Sequence, residues 1–104
     1  MQFSEKFIES FIHPRNDLLL KMEQYAEENH VPIMKLSAIE VLCQLLRMQQ
    51  PNHLLEVGTA IGYSAIRMAE AVPTCQIVTI ERDEQRAQMA KQFIEESTVA
   101  NRIT

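Results

Sequence analysis

The chain has 104 residues, of which 46% are hydrophobic and 23% charged, and this composition is typical of a globular protein rather than a disordered one. Its formal net charge is -4, and acidic and basic residues are divided evenly between the two halves, so no basic surface for nucleic acid is indicated. It has only 2 glycines, where average usage predicts roughly seven. Collagen-like, Gly/Ser-linker and low-complexity classes are therefore excluded.

The two cysteines, Cys43 and Cys75, form no C-x-x-C pair. The N-terminus begins with polar residues and shows no signal peptide, and the longest apolar runs are too short to span a bilayer. These features predict two free thiols in a cytoplasmic protein.

The first half of the sequence shows helical periodicity. A first amphipathic helix is predicted, with a possible cap at Ser4 and an end at His13-Pro14, from the apolar residues Phe3, Phe7, Ile8, Phe11 and Ile12. A second helix is predicted to begin at Asn16 or Asp17 and to end near His30, with a buried face formed by Leu18, Met22, Tyr25 and Ala26.

A third helix is predicted to begin at Ser37, because Ser37 and Glu40 have the spacing of a capping box. Its apolar residues form two stripes, which are Ile39/Leu42/Cys43/Leu46 and Ala38/Val41/Leu45/Met48. Two stripes indicate a helix that is covered on two sides and lies centrally in the domain.

After Pro51 the hydrophobic period changes to that of alternating strands and helices. One strand is predicted over 54–57 and a second, β-branched one over 77–80. Between them, Gly62 opens a helix that stops before Pro73 and buries Ala65, Ile66, Ala69 and Val72. Asp83 is expected to cap a last helix, whose inward residues are Ala87, Ala90, Phe93 and Ile94.

Two strands joined by a helix predict a parallel pair with a right-handed crossover. Parallel sheets are buried on both faces, and a third strand would begin at residues 102–104. We therefore predict the α/β class: the N-terminal part of a doubly wound, Rossmann-like fold, with three leading helices and then β-α-β-α, truncated before its sheet is complete. Residues 1–104 form a single partial domain, with a helical segment at 1–50 and a ligand-binding segment at 51–104.

Both glycines lie in the predicted loop between the first strand and the following helix, at Gly58 and Gly62. Glycine allows the sharp turn and lets a ligand approach the backbone, while the first amides of the next helix favour an anionic group. The loop is therefore the candidate ligand site.

This loop has three alternative ligands, which are a nucleotide phosphate held by a P-loop, a dinucleotide and S-adenosylmethionine. A P-loop requires a lysine where Tyr63 and Ser64 stand, and a dinucleotide fingerprint requires a glycine where Ala60 stands. S-adenosylmethionine carries an ammonium and a sulfonium but no phosphate, so it suits the neighbouring Glu56. Glu81, at the end of the second strand, is placed to accept hydrogen bonds from ribose hydroxyls.

The residues from Leu55 to Ala69 and from Ile77 to Asp83 closely resemble the S-adenosylmethionine-dependent O-methyltransferases of the catechol and caffeoyl-CoA type. The 31–34 segment and the leading helices resemble the bacterial branch that includes tRNA 5-hydroxyuridine methyltransferases. The resemblance covers essentially the whole chain, but roughly half of the length of such a domain is absent.

The resemblance implies a set of cofactor-binding residues around the methionine end of the ligand. Gly58 would lie against the methionine moiety, Glu56 would face its ammonium, and Ser64 would bind its carboxylate. Tyr63 would line the same pocket, and Met34 matches a cofactor-contacting position.

At the other end of the cofactor, the resemblance implies that Glu81 holds the ribose hydroxyls and that Arg82 borders the adenine. Gly62 is the second position where backbone must approach the ligand. No catalytic or metal-binding residue can be named, and a magnesium ion would take its ligands from outside this chain.

The predicted function is an S-adenosylmethionine-dependent O-methyltransferase of which this chain is the cofactor-binding half, inactive alone. The expected acceptor is tRNA 5-hydroxyuridine, or alternatively a small catechol-like hydroxyl compound. A homo-oligomer without membrane contact is expected. Two further hypotheses are a truncated, non-catalytic module that self-associates through its open sheet edge, and NAD(P)-dependent reduction.

Overall fold

The computed structural model describes Phe7 and residues 14–104. The first predicted helix, apart from Phe7, lies outside the described residues. The described elements, in chain order, are α1 (Asp17–Glu28), α2 (Leu36–Gln49), β1 (His53–Val57), α3 (Tyr63–Ala71), β2 (Gln76–Ile80), α4 (Glu84–Glu96) and a short 3-10 helix (Ala100–Arg102).

Side-chain caps begin two of the helices, as predicted. Asn16 accepts a hydrogen bond of 2.9 Å from the backbone amide of Leu19 at the start of α1. Asp83 accepts one of 3.0 Å from the amide of Arg86 at the start of α4. Each cap satisfies an amide that the helix itself leaves without a partner, so a local sequence signal was sufficient to predict both.

The predicted start of α2 was wrong. The helix begins at Leu36 with Lys35 at the cap position and no side-chain cap, so Ser37 lies inside the first turn. Leu36 packs against the core, and Glu40 accepts a 2.8 Å hydrogen bond from Arg67 of α3. Tertiary contacts have overridden the local signal here.

The expectation that α2 is covered on two sides was also wrong for the described chain. Its first stripe packs inward, with Ile39 and Cys43 both 0% exposed. The second stripe faces outward, with exposed fractions of 59%, 53% and 74% for Val41, Leu45 and Met48. One face of α2 packs on α3, and no other described element covers the opposite face.

The strands form the predicted parallel pair, with Leu54 opposite Ile77 and Glu56 opposite Thr79. Near residues 102–104, where a third strand was predicted to begin, Ile103 forms an isolated parallel bridge with Ile77. The amide of Thr104 donates a 2.8 Å hydrogen bond to the carbonyl of Ile77, and the amide of Thr79 donates a 2.9 Å bond to Thr104. The sheet order is β1-β2, and the bridge at Ile103 is made to β2, so it does not occupy the outer edge of β1.

The core lies on one face of this sheet. Ile77 is 1% exposed and packs with the inward residues of α3, among which Ala65, Ile66, Ala69 and Val72 are buried as predicted. The opposite face is formed by Leu55, Val57, Val78 and Ile80, whose exposed fractions are 66%, 80%, 47% and 51%. The predicted burial of both faces is therefore not met within the described chain.

Arg102 links the chain end to the C-terminal end of α3. Its guanidinium donates hydrogen bonds of 2.7, 3.0 and 2.8 Å to the backbone carbonyls of Ala69, Val72 and Cys75. Both cysteines are free thiols, as predicted, and both are buried. None of the described helices has the length and apolar character needed to cross a membrane.

Candidate functional site

The loop between β1 and α3 contains three residues in the left-handed region, with φ values of 100° at Gly58, 50° at Ala60 and 90° at Gly62. Glycine adopts this region without strain, whereas an L-residue such as alanine is strained there. The amides of Gly58 and Thr59 donate hydrogen bonds of 2.7 and 3.2 Å to the carbonyl of Ile80. The loop is therefore fastened to the end of β2.

The two glycines meet different steric demands. A Cβ atom added to Gly62 would lie 3.2 Å from Cγ1 of Ile94, so this glycine allows α4 to pack against the loop. A Cβ atom at Gly58 would meet nothing within 4 Å. Only Gly58 therefore borders open space that a ligand could enter.

A cleft of about 310 Å³ lies between this loop and the connection from α1 to α2. One wall is formed by residues 32–34 and the other by 56–60 together with the first turn of α3. The cleft brings together five of the predicted site residues, which are Met34, Glu56, Gly58, Tyr63 and Ser64. We call it the loop cleft.

Hydroxyl groups surround the carboxylate at the base of the loop cleft. Glu56 accepts hydrogen bonds from the Ser64 hydroxyl and, at 2.7 Å, from Oγ1 of Thr79. The hydroxyl oxygens of Thr79 and Thr59 are themselves 2.5 Å apart. Sequence reasoning missed both threonines, although the alternation of strand side chains and the parallel register place Thr79 beside Glu56.

Glu81 lies at the end of β2, next to a second cavity of about 180 Å³ that shares Thr59 with the loop cleft. Its carboxylate accepts hydrogen bonds of 3.0 Å from the amide of Asp83 and 2.8 Å from the amide of Ala60. These two backbone bonds hold the pKa of Glu81 below its usual value of 4.5. Arg82 follows it and is exposed.

Tyr63 belongs to the cleft wall, but its side chain is turned into the core and is 1% exposed. Its hydroxyl donates a 2.6 Å hydrogen bond to Glu23 of α1 and accepts one of 3.1 Å from Arg67. Burial and the bond to Glu23 raise the pKa of Tyr63 to about 12, against the opposing effect of Arg67. Both hydrogen bonds of this hydroxyl are thus made to protein side chains.

Gly62 is the residue before α3 and occupies its N-cap position, without a side-chain cap. The first amides of α3 are therefore directed toward the cleft end of the helix, where they can pair with an anion. Within Phe7 and residues 14–104, no group of three or more His, Cys, Asp or Glu side chains could hold a metal ion.

Comparison with known proteins places this geometry in a family. The sequence profile of the O-methyltransferase family matches residues 10–104. The chain therefore belongs to the O-methyltransferase family.

Individual relatives agree with this assignment. Catechol O-methyltransferase of Sus scrofa is 33% identical over 66 residues, which is 62% of this chain and 36% of that protein. A protein-L-isoaspartate O-methyltransferase of Methanosarcina mazei is 30% identical over 107 residues, covering 93% of this chain and 44% of the relative.

Solved structures show the same fold. A Staphylococcus aureus protein assigned as a caffeoyl-CoA O-methyltransferase superposes with a TM-score of 0.87 at 32% identity, over 95% of this chain and 47% of that one. The O-methyltransferase TomG from Streptomyces achromogenes, solved in complex with SAM, gives a TM-score of 0.81 at 28% identity, over 96% and 46% of the two chains. The chain thus spans less than half of the length of these relatives. These superpositions confirm the prediction that it forms the N-terminal part of a Rossmann-like methyltransferase fold.

Proposed function

We propose that this chain is the cofactor-binding half of an S-adenosylmethionine-dependent O-methyltransferase. The observation that carries the proposal is the loop cleft, which brings Met34, Glu56, Gly58 and Ser64 together at the end of β1, with Glu81 at the end of the adjacent strand. Ligands of open α/β sheets bind at this edge. The complex of TomG with SAM supports the choice of cofactor.

The residues present fit the functional groups of this cofactor. Glu56 supplies a carboxylate for the ammonium, and the first amides of α3 suit the methionine carboxylate. Ser64 would join these amides by releasing its hydrogen bond to Glu56. Gly58 leaves the space in which the methionine moiety would lie. Glu81 has lone pairs left for ribose hydroxyls, and Arg82 would border the adenine.

When bound, the cofactor supplies an electrophilic methyl group for an in-line displacement by a hydroxyl oxygen. Acceptor alignment and deprotonation require groups that the described residues do not bring together, so we propose that the chain alone does not transfer methyl groups. The described residues also do not fit a magnesium site. No metal-dependent step is therefore assigned to this chain.

For the acceptor of the whole enzyme, two proposals stand. Transfer RNA 5-hydroxyuridine is supported by the resemblance of the 31–34 segment and the leading helices to that bacterial branch. A small catechol-like hydroxyl compound is supported by the similarity to catechol O-methyltransferase of Sus scrofa. We further propose a cytoplasmic location for the enzyme. Methylation assays of the full-length enzyme on the two acceptors would separate them.

Cofactor binding is tested by NMR titration of the chain with S-adenosylhomocysteine, with NAD as the competing ligand. We expect weak binding, with shifts of the Gly58–Ser64 amides that E81A abolishes. The matched variant E84A removes an exposed acid from the first turn of α4 and should bind like the wild type. Shifts with NAD alone, or none with S-adenosylhomocysteine, would contradict the proposal.

A second candidate function is a non-catalytic module that self-associates. The observation that favours it is the open sheet face, formed by Leu55, Val57, Val78 and Ile80, next to the outer edge of β1. Parallel sheets normally have both faces covered, so a homo-oligomer would bury this surface. Sedimentation velocity over a range of concentrations tests it, and a monomer at every concentration would contradict it.

A further inference from the structure

Four polar side chains connect the three helices around the loop cleft. Arg67 of α3 donates hydrogen bonds of 2.8 Å to Glu40 of α2 and 3.1 Å to the hydroxyl of Tyr63. Tyr63 in turn donates one of 2.6 Å to Glu23 of α1. We call Glu23, Glu40, Tyr63 and Arg67 the helix clamp.

The centre of the helix clamp is buried, whereas its two carboxylates are partly exposed, with side-chain fractions of 18% for Glu23 and 25% for Glu40. Arg67 is 8% exposed and Tyr63 1%. Glu23 also accepts hydrogen bonds of 2.9 Å from Nε and from Nη2 of Arg15. Burial raises the pKa of Glu23, but the bonds from Arg15 and Tyr63 and the nearby cations outweigh it, so the group stays ionised at neutral pH.

Stability alone does not explain such a cluster. Buried ion pairs can often be replaced by apolar residues of similar volume without loss of stability, because desolvation offsets much of the attraction. What directional hydrogen bonds provide, and apolar contacts do not, is a fixed distance and orientation between the elements that carry them. The helix clamp is therefore expected to fix the distance and orientation between the three helices.

Its position in the chain indicates that role. Glu23 and Glu40 lie on the helices that precede and follow the connection carrying residues 32–34, one wall of the loop cleft. Tyr63 and Arg67 lie on α3, whose first turn carries Ser64 in the opposite wall. Glu23 and Glu40, on the two helices that flank the first wall, are thus both hydrogen-bonded to α3, whose first turn is part of the second wall.

We infer that Tyr63 and Arg67 are positioning residues, which set the separation of the two walls of the loop cleft through their bonds to Glu23 and Glu40. The inference rests on the proposed function, since the ligand of the cleft is the proposed cofactor. Neither residue needs to touch that ligand. Each acts through the helices that it holds together.

The variant Y63F tests this inference because it removes one hydroxyl and leaves the ring in the core. Y25F is the matched control, since Tyr25 lies on α1 and contacts Phe93 with its ring. We expect Y63F to weaken S-adenosylhomocysteine binding by roughly fivefold, as remote positioning residues do, with Y25F unchanged. R67K, which keeps the charge but loses the paired geometry, should behave like Y63F and serves as the second variant.

Amide hydrogen exchange distinguishes positioning from general destabilisation. In Y63F we expect faster exchange at Val31 and at Thr59, Ala60 and Gly62, whose amides are hydrogen-bonded at the ends of the two walls. Exchange at Gln76 and Thr79, whose amides are bonded to Asn52 and Thr104, should be unchanged. Equal acceleration at all of these amides would overturn the inference, as would wild-type exchange and affinity in Y63F and R67K. Absence of binding by the wild type would contradict the proposed function instead, and the exchange pattern would still decide the role of the helix clamp.

Discussion

The backbone amide of Ala60 donates a 2.8 Å hydrogen bond to the carboxylate of Glu81, which joins the middle of the loop after β1 to the end of β2. The second carboxylate oxygen accepts a bond of 3.0 Å from the amide of Asp83. The residue proposed to hold the ribose therefore also shapes the loop beside it. Substitution of Glu81 will change the site before any ligand is present.

The first prediction concerns acid stability. The pKa of Glu81 in the folded chain lies below its usual 4.5, so its ionised form stabilises the fold above that pH, and this contribution is lost as the pH falls below it. We expect the wild type to lose more unfolding free energy than E81Q between about pH 5 and about pH 3. Chemical denaturation at each pH measures this, with E84Q as control. Parallel pH profiles for wild type and E81Q would contradict it.

A second prediction follows from the backbone of Ala60, whose φ of 50° is strained for an L-residue. A60G should stabilise the chain by about 0.5 kcal/mol, because relief of strain exceeds the added entropy of the unfolded chain. The control A38G replaces an exposed residue in the first turn of α2 and should destabilise the chain by up to about 1 kcal/mol. Thermal unfolding of both variants gives the comparison. Destabilisation by A60G equal to that by A38G would show that the loop is not strained.

The two glycines give a third prediction. Both G58A and G62A place alanine at positive φ, at a cost of about 1 kcal/mol each. G62A adds a contact at 3.2 Å with Ile94, so it should be the more destabilising of the pair. In the I94A background, which removes the contacting atoms, the difference between the two should disappear. A difference that persists there would place the steric conflict elsewhere.

Some of the features behind these predictions could be predicted from the sequence, and others could not. The caps at Asn16 and Asp83 and the glycine loop were predicted because they use residues a few positions apart. The partners of Glu56 and Glu40 were not predicted. Thr79 reaches Glu56 only when the two strands pair, and Arg67 reaches Glu40 only when α2 packs on α3. The same packing overrode the local signal at Ser37.

Burial was predicted less well than topology for a related reason. Periodicity indicates which side chains are apolar but not whether a partner element is present to cover them. The outward stripe of α2 and the outward face of the sheet have sequences suited to burial, yet residues 14–104 provide no element for either.

A fourth prediction uses the phenol of Tyr63, whose pKa is raised to about 12. Its neutral form is favoured by folding, so the stabilisation is present below the ordinary pKa of 10.0 and is lost as the pH rises through the folded value. Ultraviolet difference spectra of the wild type minus Y63F should show this late ionisation. Ionisation of Tyr63 near pH 10.0 in the folded chain would contradict the hydrogen bond to Glu23.

The fifth prediction concerns the open sheet face. If it mediates self-association, V57K should shift the monomer–oligomer equilibrium toward monomer, since it places a charge on a strand residue that is 80% exposed. V41K is the matched control on the outward stripe of α2, 59% exposed. Sedimentation equilibrium should show a weaker association constant for V57K alone. A stronger effect of V41K would assign the contact to α2.

The bonds from Arg102 to Ala69 in the last turn of α3 and to Val72, the residue after the helix, have an electrostatic consequence. Peptide dipoles leave partial negative charge at the C-terminal end of a helix and partial positive charge at its N-terminal end. The guanidinium compensates the negative pole of α3 with a full cation, whereas the positive pole at Gly62 and Tyr63 has no side-chain cap. The N-terminal end of this helix, which borders the cleft, thus depends on the Glu56 carboxylate, bonded to Ser64 in its first turn, for its nearest negative charge.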